Sequence, residues 1–287
     1  MGPAPEVRGW AIRVLLSVMA LSYAVHTAGE PGLNKTSTLV AGTRDALLVD
    51  GQLTLAEQHR VVATVLDSGR RLTTVFVSTA EPACYAGLTA VRQAFPRARV
   101  VAEQTVAERI ARTWHRELPA WRGLGGNLAG EAIVPEPLTG ASLELEGRVF
   151  EVRGAPDGPG PPGCHLWQPE DRALLGGPLV YAGLHPWTAD AASAADRAAW
   201  DRALAEAQRL GPALVVPGHR AEDAPADASA LAFTREYLAA FEEELAAAAD
   251  SAALEAAMLR RYPGLGGLLN LGLGAKAATG ELARAAA

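Results

Sequence analysis

The chain has 287 residues, a length that carries one or two domains and buries a large core without disulfide staples. Hydrophobic residues at 49% and charged residues at 20% place it among globular rather than disordered chains. A net charge of −6 excludes a polybasic nucleic-acid or membrane surface, and two cysteines, Cys84 and Cys164, exclude a disulfide scaffold or a Cys-rich zinc module.

Residues 14–25 (VLLSVMALSYAV) form an apolar run behind Arg8 and Arg13. It is shorter than the roughly 20 residues that span a bilayer. It reads as a buried first strand, with a signal-peptide core as the alternative. The serines in the run favour the strand, and without a signal the protein is cytoplasmic. Residues 36–40 and 45–49 are aliphatic or β-branched runs around Ala41-Gly42-Thr43-Arg44, which predicts a hairpin. Residues 54–68 show helical spacing in Leu55, His59, Val62, Val65 and Leu66, with Gly69 at the stop. A buried strand follows at 72–77, a helix at 85–95, a strand at 98–102 and a helix at 106–116. This alternation of strand and helix signals a layered α/β domain.

The second half repeats the style. Residues 142–145 and 148–152 flank Glu146-Gly147 as a hairpin, and the Gly/Pro-rich stretch 154–163 reads as a structured loop. Short strands are predicted at 164–168, 173–175, 179–181 and 213–216, a helix at 191–209, and a turn at Pro217-Gly218-His219. Beyond Asp227 the chain is helical over 228–248 and 253–261. The expected organisation is one domain over 1–225 and a helical extension over 226–287 packed on it.

Asn34-Lys35-Thr36-Ser37-Thr38-Leu39-Val40, Ala46-Leu47-Leu48-Val49-Asp50-Gly51 and the strands over 72–102 resemble the opening of the metallo-β-lactamase fold superfamily. The likeness resumes at 169–190, at Leu214-Val215-Val216-Pro217-Gly218-His219 and at 233–238. It implies an αβ/βα sandwich of two packed mixed sheets flanked by helices, with the active site on loops at one edge. Members of that family carry H-x-H-x-D-H after a buried strand. Imidazoles and a carboxylate on one tight loop suit zinc, and the metal generates a hydroxide near neutral pH. Here Thr79 and Glu81 stand at the first two histidines, Ala83 at the aspartate and Cys84 at the third histidine. The resemblance also puts Gly160 at the next histidine and Pro178 at the bridging aspartate. His219 keeps the last position.

The expectation is therefore no metal and no other cofactor. Three readings follow. The first is a metal-independent enzyme of secondary metabolism that cyclises, eliminates, isomerises or does lactone chemistry on a small molecule. The second is a non-catalytic pseudoenzyme that binds a small ligand. The third is a zinc lactonase with Glu81, Cys84 and His219 as substitute ligands. Glu81, His219, His185 and Tyr85 are the candidate acid–base groups, because each type can hold or move a proton. Thr79, Cys84, Trp187 and Tyr181 are the candidate substrate contacts. Cys84 with His219 as base is a candidate nucleophile. His59 is expected on a helix face, His115 at a helix end, and Asp50 beneath the site in a structural role. A small molecule is the expected partner, with no nucleic acid or membrane; a homodimer is left open.

Overall fold

A computed structural model describes residues 20–282. The elements in chain order are β1 (Ser22–Thr27), β2 (Thr36–Ala41), β3 (Asp45–Val49), α1 (Leu55–Asp67), β4 (Arg71–Val77), α2 (Pro82–Tyr85), α3 (Leu88–Ala94), β5 (Arg99–Ala102), α4 (Gln104–Ala120), β6 (Glu136–Pro137), β7 (Ser142–Leu145), β8 (Arg148–Gly154), β9 (Cys164–Gln168), β10 (Ala173–Leu175), β11 (Tyr181–Ala182), α5 (Ala194–Arg209), β12 (Leu214–Val216), β13 (His219–Arg220), α6 (Ser229–Ala247), α7 (Ser251–Arg261) and α8 (Leu268–Ala278).

The first sheet runs β1-β2-β3-β4-β5-β6. Its first three strands pair antiparallel and the rest parallel. The second sheet runs β12-β10-β9-β8-β7, antiparallel except for the β10–β12 pair. Successive strand residues face opposite sides, so a strand buried on both faces must be apolar throughout. In β3 and β4, Leu47, Val49 and Phe76 enter the core between the sheets, where Phe150, Leu166, Leu175 and Val216 meet them. The alternate residues Ala46, Leu48, Val75 and Val77 pack beneath α1, α3 and α4. The second sheet's outer face is covered by α5 and α6 around Trp200, Leu204 and Leu231. The result is an αβ/βα sandwich. At the C-terminal end, α6, α7 and α8 share a further cluster around Tyr237, Phe241, Leu254 and Leu271.

Several sequence expectations shift. Of the apolar run over 14–25, the described part from Ser22 belongs to β1, and residues 14–19 lie outside the described residues. The α1 stripe is Gln58, Val61, Val62 and Val65, while Leu66 is exposed, one position past the buried face. The helix expected over 85–95 is two helices broken at Ala86-Gly87, because the Gly87 amide turns away to bond the Gln52 carbonyl at 2.8 Å. The strand expected over 179–181 is β11, and the turn at 217–219 ends in β13, its parallel partner. Helix α8 lies in the expected helical extension but beyond the helices placed at 228–248 and 253–261.

Candidate functional site

The strand ends that build the site meet at one edge of the sandwich. Asp50 follows β3 with φ 61°, a left-handed turn that drops its carboxylate under the loop after β4. Asp50 Oδ1 accepts from the Ser78 amide and Oδ2 from the Ser78 hydroxyl, both at 2.8 Å. Its counter-ion is Lys35, whose Nζ donates to Asp50 Oδ2 at 2.8 Å and to the Gly218 carbonyl at 3.2 Å. Both side chains are shut off from solvent, at 1% and 0% exposure. Burial alone would pull the Lys35 ammonium down, but Asp50 above all, with Glu81, holds it above its ordinary value. The pair is thus a buried ion pair under the site, tolerable because each partner is satisfied by hydrogen bonds.

Above this pair lies a cleft of about 780 Å³. Its lining includes Thr79 and Glu81 from the loop after β4, Gly160 and Pro162 from the β8–β9 loop, Pro178, and Tyr181 of β11. Trp187 and Asp190, from the loop before α5, also face it, as do Arg109, Glu117 and Trp121 at α4. At its floor Glu81 Oε2 stands 3.3 Å from His219 Nε2. His219 Nδ1 is 2.8 Å from the Leu33 carbonyl, which can only accept, so Nδ1 carries a proton. A hydrogen bond to Glu81 then requires one more proton between Nε2 and Oε2. Burial raises the Glu81 carboxyl, yet His219 and then Lys35 outweigh it and hold it below its ordinary value. The Tyr181 ring stacks on His219, with centroids 5.3 Å apart and planes 8° from parallel.

The structure brings Glu81, Thr79, Tyr181 and Trp187 to the lining of this cleft, with His219 buried directly behind Glu81. The Thr79 hydroxyl is spent on the Pro162 carbonyl at 2.6 Å, and Trp187 Nε1 donates to Asp190 at 2.9 Å. Three candidates are set apart, and the cause is burial. His185 is enclosed, with Nδ1 2.8 Å from the Tyr237 hydroxyl, and burial pulls its imidazole down to about 4. Tyr85 lies in the core under the first sheet's helices, its hydroxyl paired with nothing among the described residues. Cys84 is wholly buried, its sulfur 3.8 Å from the Ser78 hydroxyl. Burial first, then Asp50, pushes that thiol well above its ordinary value, so it stays protonated and is no nucleophile. His59 is exposed on α1, as expected; His115 is exposed within α4, which continues to Ala120 instead of ending beside it; and His165 is buried on β9.

Sequence reasoning missed Asp190, Glu117, Arg109 and Trp121, which reach the cleft from helices and loops far along the chain. It also missed Lys35, whose signal was its rarity: it is one of two lysines in a chain with 26 Lys and Arg.

A family model described as the metallo-beta-lactamase superfamily matches residues 93–219. A metallo-beta-lactamase family protein from Thermus thermophilus superposes with TM-score 0.61 at 17% identity, covering 91% of this chain and 92% of that one. The chain is a metallo-β-lactamase-fold protein. A metallo-beta-lactamase from Pontibacter korlensis gives TM-score 0.54 at 20% identity over 76% of this chain and 94% of that one. No curated protein matches. The family match starts within α3, so the loop after β4 falls outside it.

The fold family implies zinc, and the side chains present do not fit it. Ala83, Gly160 and Pro178 offer no side-chain donor, Thr79 is committed to Pro162, and Cys84 is a buried thiol. The ammonium of Lys35 lies close enough to Glu81 to act on its charge, and would repel a dication held beside it. Among the described residues no group of three or more His, Cys, Asp or Glu side chains is arranged to hold a metal.

Proposed function

We propose that this protein is a metal-independent enzyme acting on a small organic molecule by proton transfer in the cleft, in the class of cyclisation, elimination, isomerisation or lactone opening. The observation that carries this reading is the Glu81–His219 contact of 3.3 Å at the floor of a cleft of about 780 Å³. That volume is within the range of small-molecule sites, roughly 300–1,000 Å³. Glu81 Oε2 faces the imidazole, which leaves Oε1 to take a proton from substrate, while His219 Nε2 can exchange a proton with Oε2 from behind. The Leu33 carbonyl fixes the ring's tautomer, and the Tyr181 face fixes its tilt.

A generic probe tests this without knowledge of the natural substrate. Ring-opening of 5-nitrobenzisoxazole needs only a base in a sheltered site. We expect turnover that EDTA leaves unchanged and that Glu81→Gln and His219→Ala each lower by about 10²-fold or more, the scale of general acid–base help. Turnover equal in wild type and both variants, or turnover abolished by EDTA and restored by zinc, overturns the proposal. A ligand that binds in the cleft with no turnover would make the protein a binding module instead.

A further inference from the structure

We propose that the Tyr181 hydroxyl is the hydrogen-bond donor that receives the substrate's oxygen in this cleft, and that the substrate is a carbonyl compound with a C–H beside that carbonyl. The inference rests on the reading of the cleft as a site of proton transfer. It adds a second catalytic residue and the class of substrate.

Placement gives the first argument. Tyr181 is only 2% exposed, yet it lines the cleft. Its ring is held from two sides, stacked on His219 at 5.3 Å and tilted by 60° against Trp200 at 6.0 Å. Its backbone is tied to α6, where the Thr234 hydroxyl accepts from the Tyr181 amide at 3.1 Å. Glu81 meets the same imidazole at Nε2. A fixed phenol on the face of His219 and a carboxylate on its edge therefore open on one cavity.

The second argument is the hydroxyl itself. The Trp187 backbone amide lies against its oxygen, and among the described residues no acceptor takes its proton. An oxygen polarised by an amide is the better donor for it. Burial first, then the Glu81 charge, pushes the phenol well above its ordinary value, so it stays neutral and keeps that proton. A side chain this deeply buried, with a donor that meets no protein acceptor, is built to meet a ligand's oxygen.

Chemistry then selects the substrate. Glu81, held below its ordinary value, is a weak base. It removes a carbon-bound proton only where the charge left behind is stabilised as it forms. Glu81 Oε1 takes the proton beside the carbonyl. The C–H electron pair becomes a C=C bond, the carbonyl π pair moves onto oxygen, and that oxygen accepts from Tyr181. The proton returns from Glu81 to the same carbon or to the far end of a conjugated system, which is an isomerisation. No oxidant or second substrate is consumed. Negative charge leaves Glu81 as it appears on the oxygen, so the total charge of the site is constant. A phosphate or carboxylate would instead enter fully charged beside Glu81 and Asp190, whose charges both act at this hydroxyl.

The test is α-hydrogen exchange of phenylacetone and cyclohexanone in heavy water, followed by proton NMR with the full chain. We expect exchange faster than in buffer for at least one ketone. Tyr181→Phe keeps the ring stack and should lower kcat by about 10²-fold, the scale of one lost oxyanion donor, with KM within about three-fold. The carbonyl stretch of the bound, isotope-labelled ketone should lie at lower wavenumber in the wild type than in Tyr181→Phe. An unchanged kcat or an unchanged stretch in Tyr181→Phe overturns the donor role. Exchange of neither ketone, with 5-nitrobenzisoxazole still opened, overturns the carbonyl class and leaves the cleft reading standing. No turnover of any of the three probes removes both.

Discussion

At the scale of single residues, the buried Lys35–Asp50 pair is the most costly element of the site to disturb. Lys35→Met leaves the Asp50 carboxylate with its Ser78 donors and no counter-ion. Breaking one side of a buried pair costs about 3–5 kcal/mol, and urea unfolding should show a loss of that order. Lys35→Met combined with Asp50→Asn should lose less than Lys35→Met alone, because no charge is stranded. The thiols give a second prediction. Cys84 and Cys164 are buried, and burial pushes Cys164 up to about 12 and Cys84 well above its ordinary value. An Ellman assay should find neither thiol in the native protein and both after denaturant. The sequence showed Cys84 at a ligand position but not that its thiol points into the core. A residue type reveals its chemistry; burial decides whether that chemistry is used. Glu81 and His219 were legible as a pair because the fold brings their two loops together. Lys35 was not, since nothing local marks a lysine that enters a core through the consecutive left-handed residues Leu33 and Asn34.

At the scale of elements, the readable ones had both an apolar period and a stop signal. Strands β3 and β4 are unbroken aliphatic runs, and α1 sits between a Thr54 cap and Gly69. Helix α8 falls within the helical extension expected over 226–287, but its glycines give it no helical period of its own. Gly274 is required there, because a Cβ would lie 2.0 Å from the Thr188 hydroxyl. The cleft walls were hidden for another reason: α4 and α5 reach it through tertiary packing, which no local pattern records. Helix α5 also carries a reciprocal cap. The Ser193 hydroxyl bonds the Asp196 amide at 3.1 Å, and the Asp196 carboxylate bonds back to the Ser193 hydroxyl and amide. Ser193→Ala should cost about 1 kcal/mol in thermal or urea unfolding. Because Asp196 lines the cleft, the same change frees a carboxylate at its rim.

At the scale of the whole molecule, two buried histidines set the acid limit. Burial holds His185 at about 4, and burial with the Arg153 charge holds His165 at about 4, against 6.5 for the free side chain. The unfolded chain therefore takes up protons first as pH falls. Stability is whole above about 6.5 and declines as pH drops towards 4, by on the order of 2–3 kcal/mol for each histidine. Glu81, held below its ordinary value, loses its contribution in the same direction, as pH falls through its folded titration. Melting temperatures should fall steadily from pH 6.5 to 4, and a His165→Gln, His185→Gln double variant should flatten that slope. The junction of the two halves has a kinetic consequence as well. The Thr36 amide bonds the Gly218 carbonyl at 3.0 Å, the Cys164 amide bonds the Ser78 carbonyl at 2.8 Å, and a Cβ on Gly218 would sit 1.8 Å from the Gly177 oxygen. Water reaches these amides only when the halves part and Lys35 is rehydrated. In a deuterium-exchange experiment the amides of Thr36, Ser78 and Cys164 should therefore exchange together, at the rate of global unfolding and far behind the amides of the 155–162 loop between them.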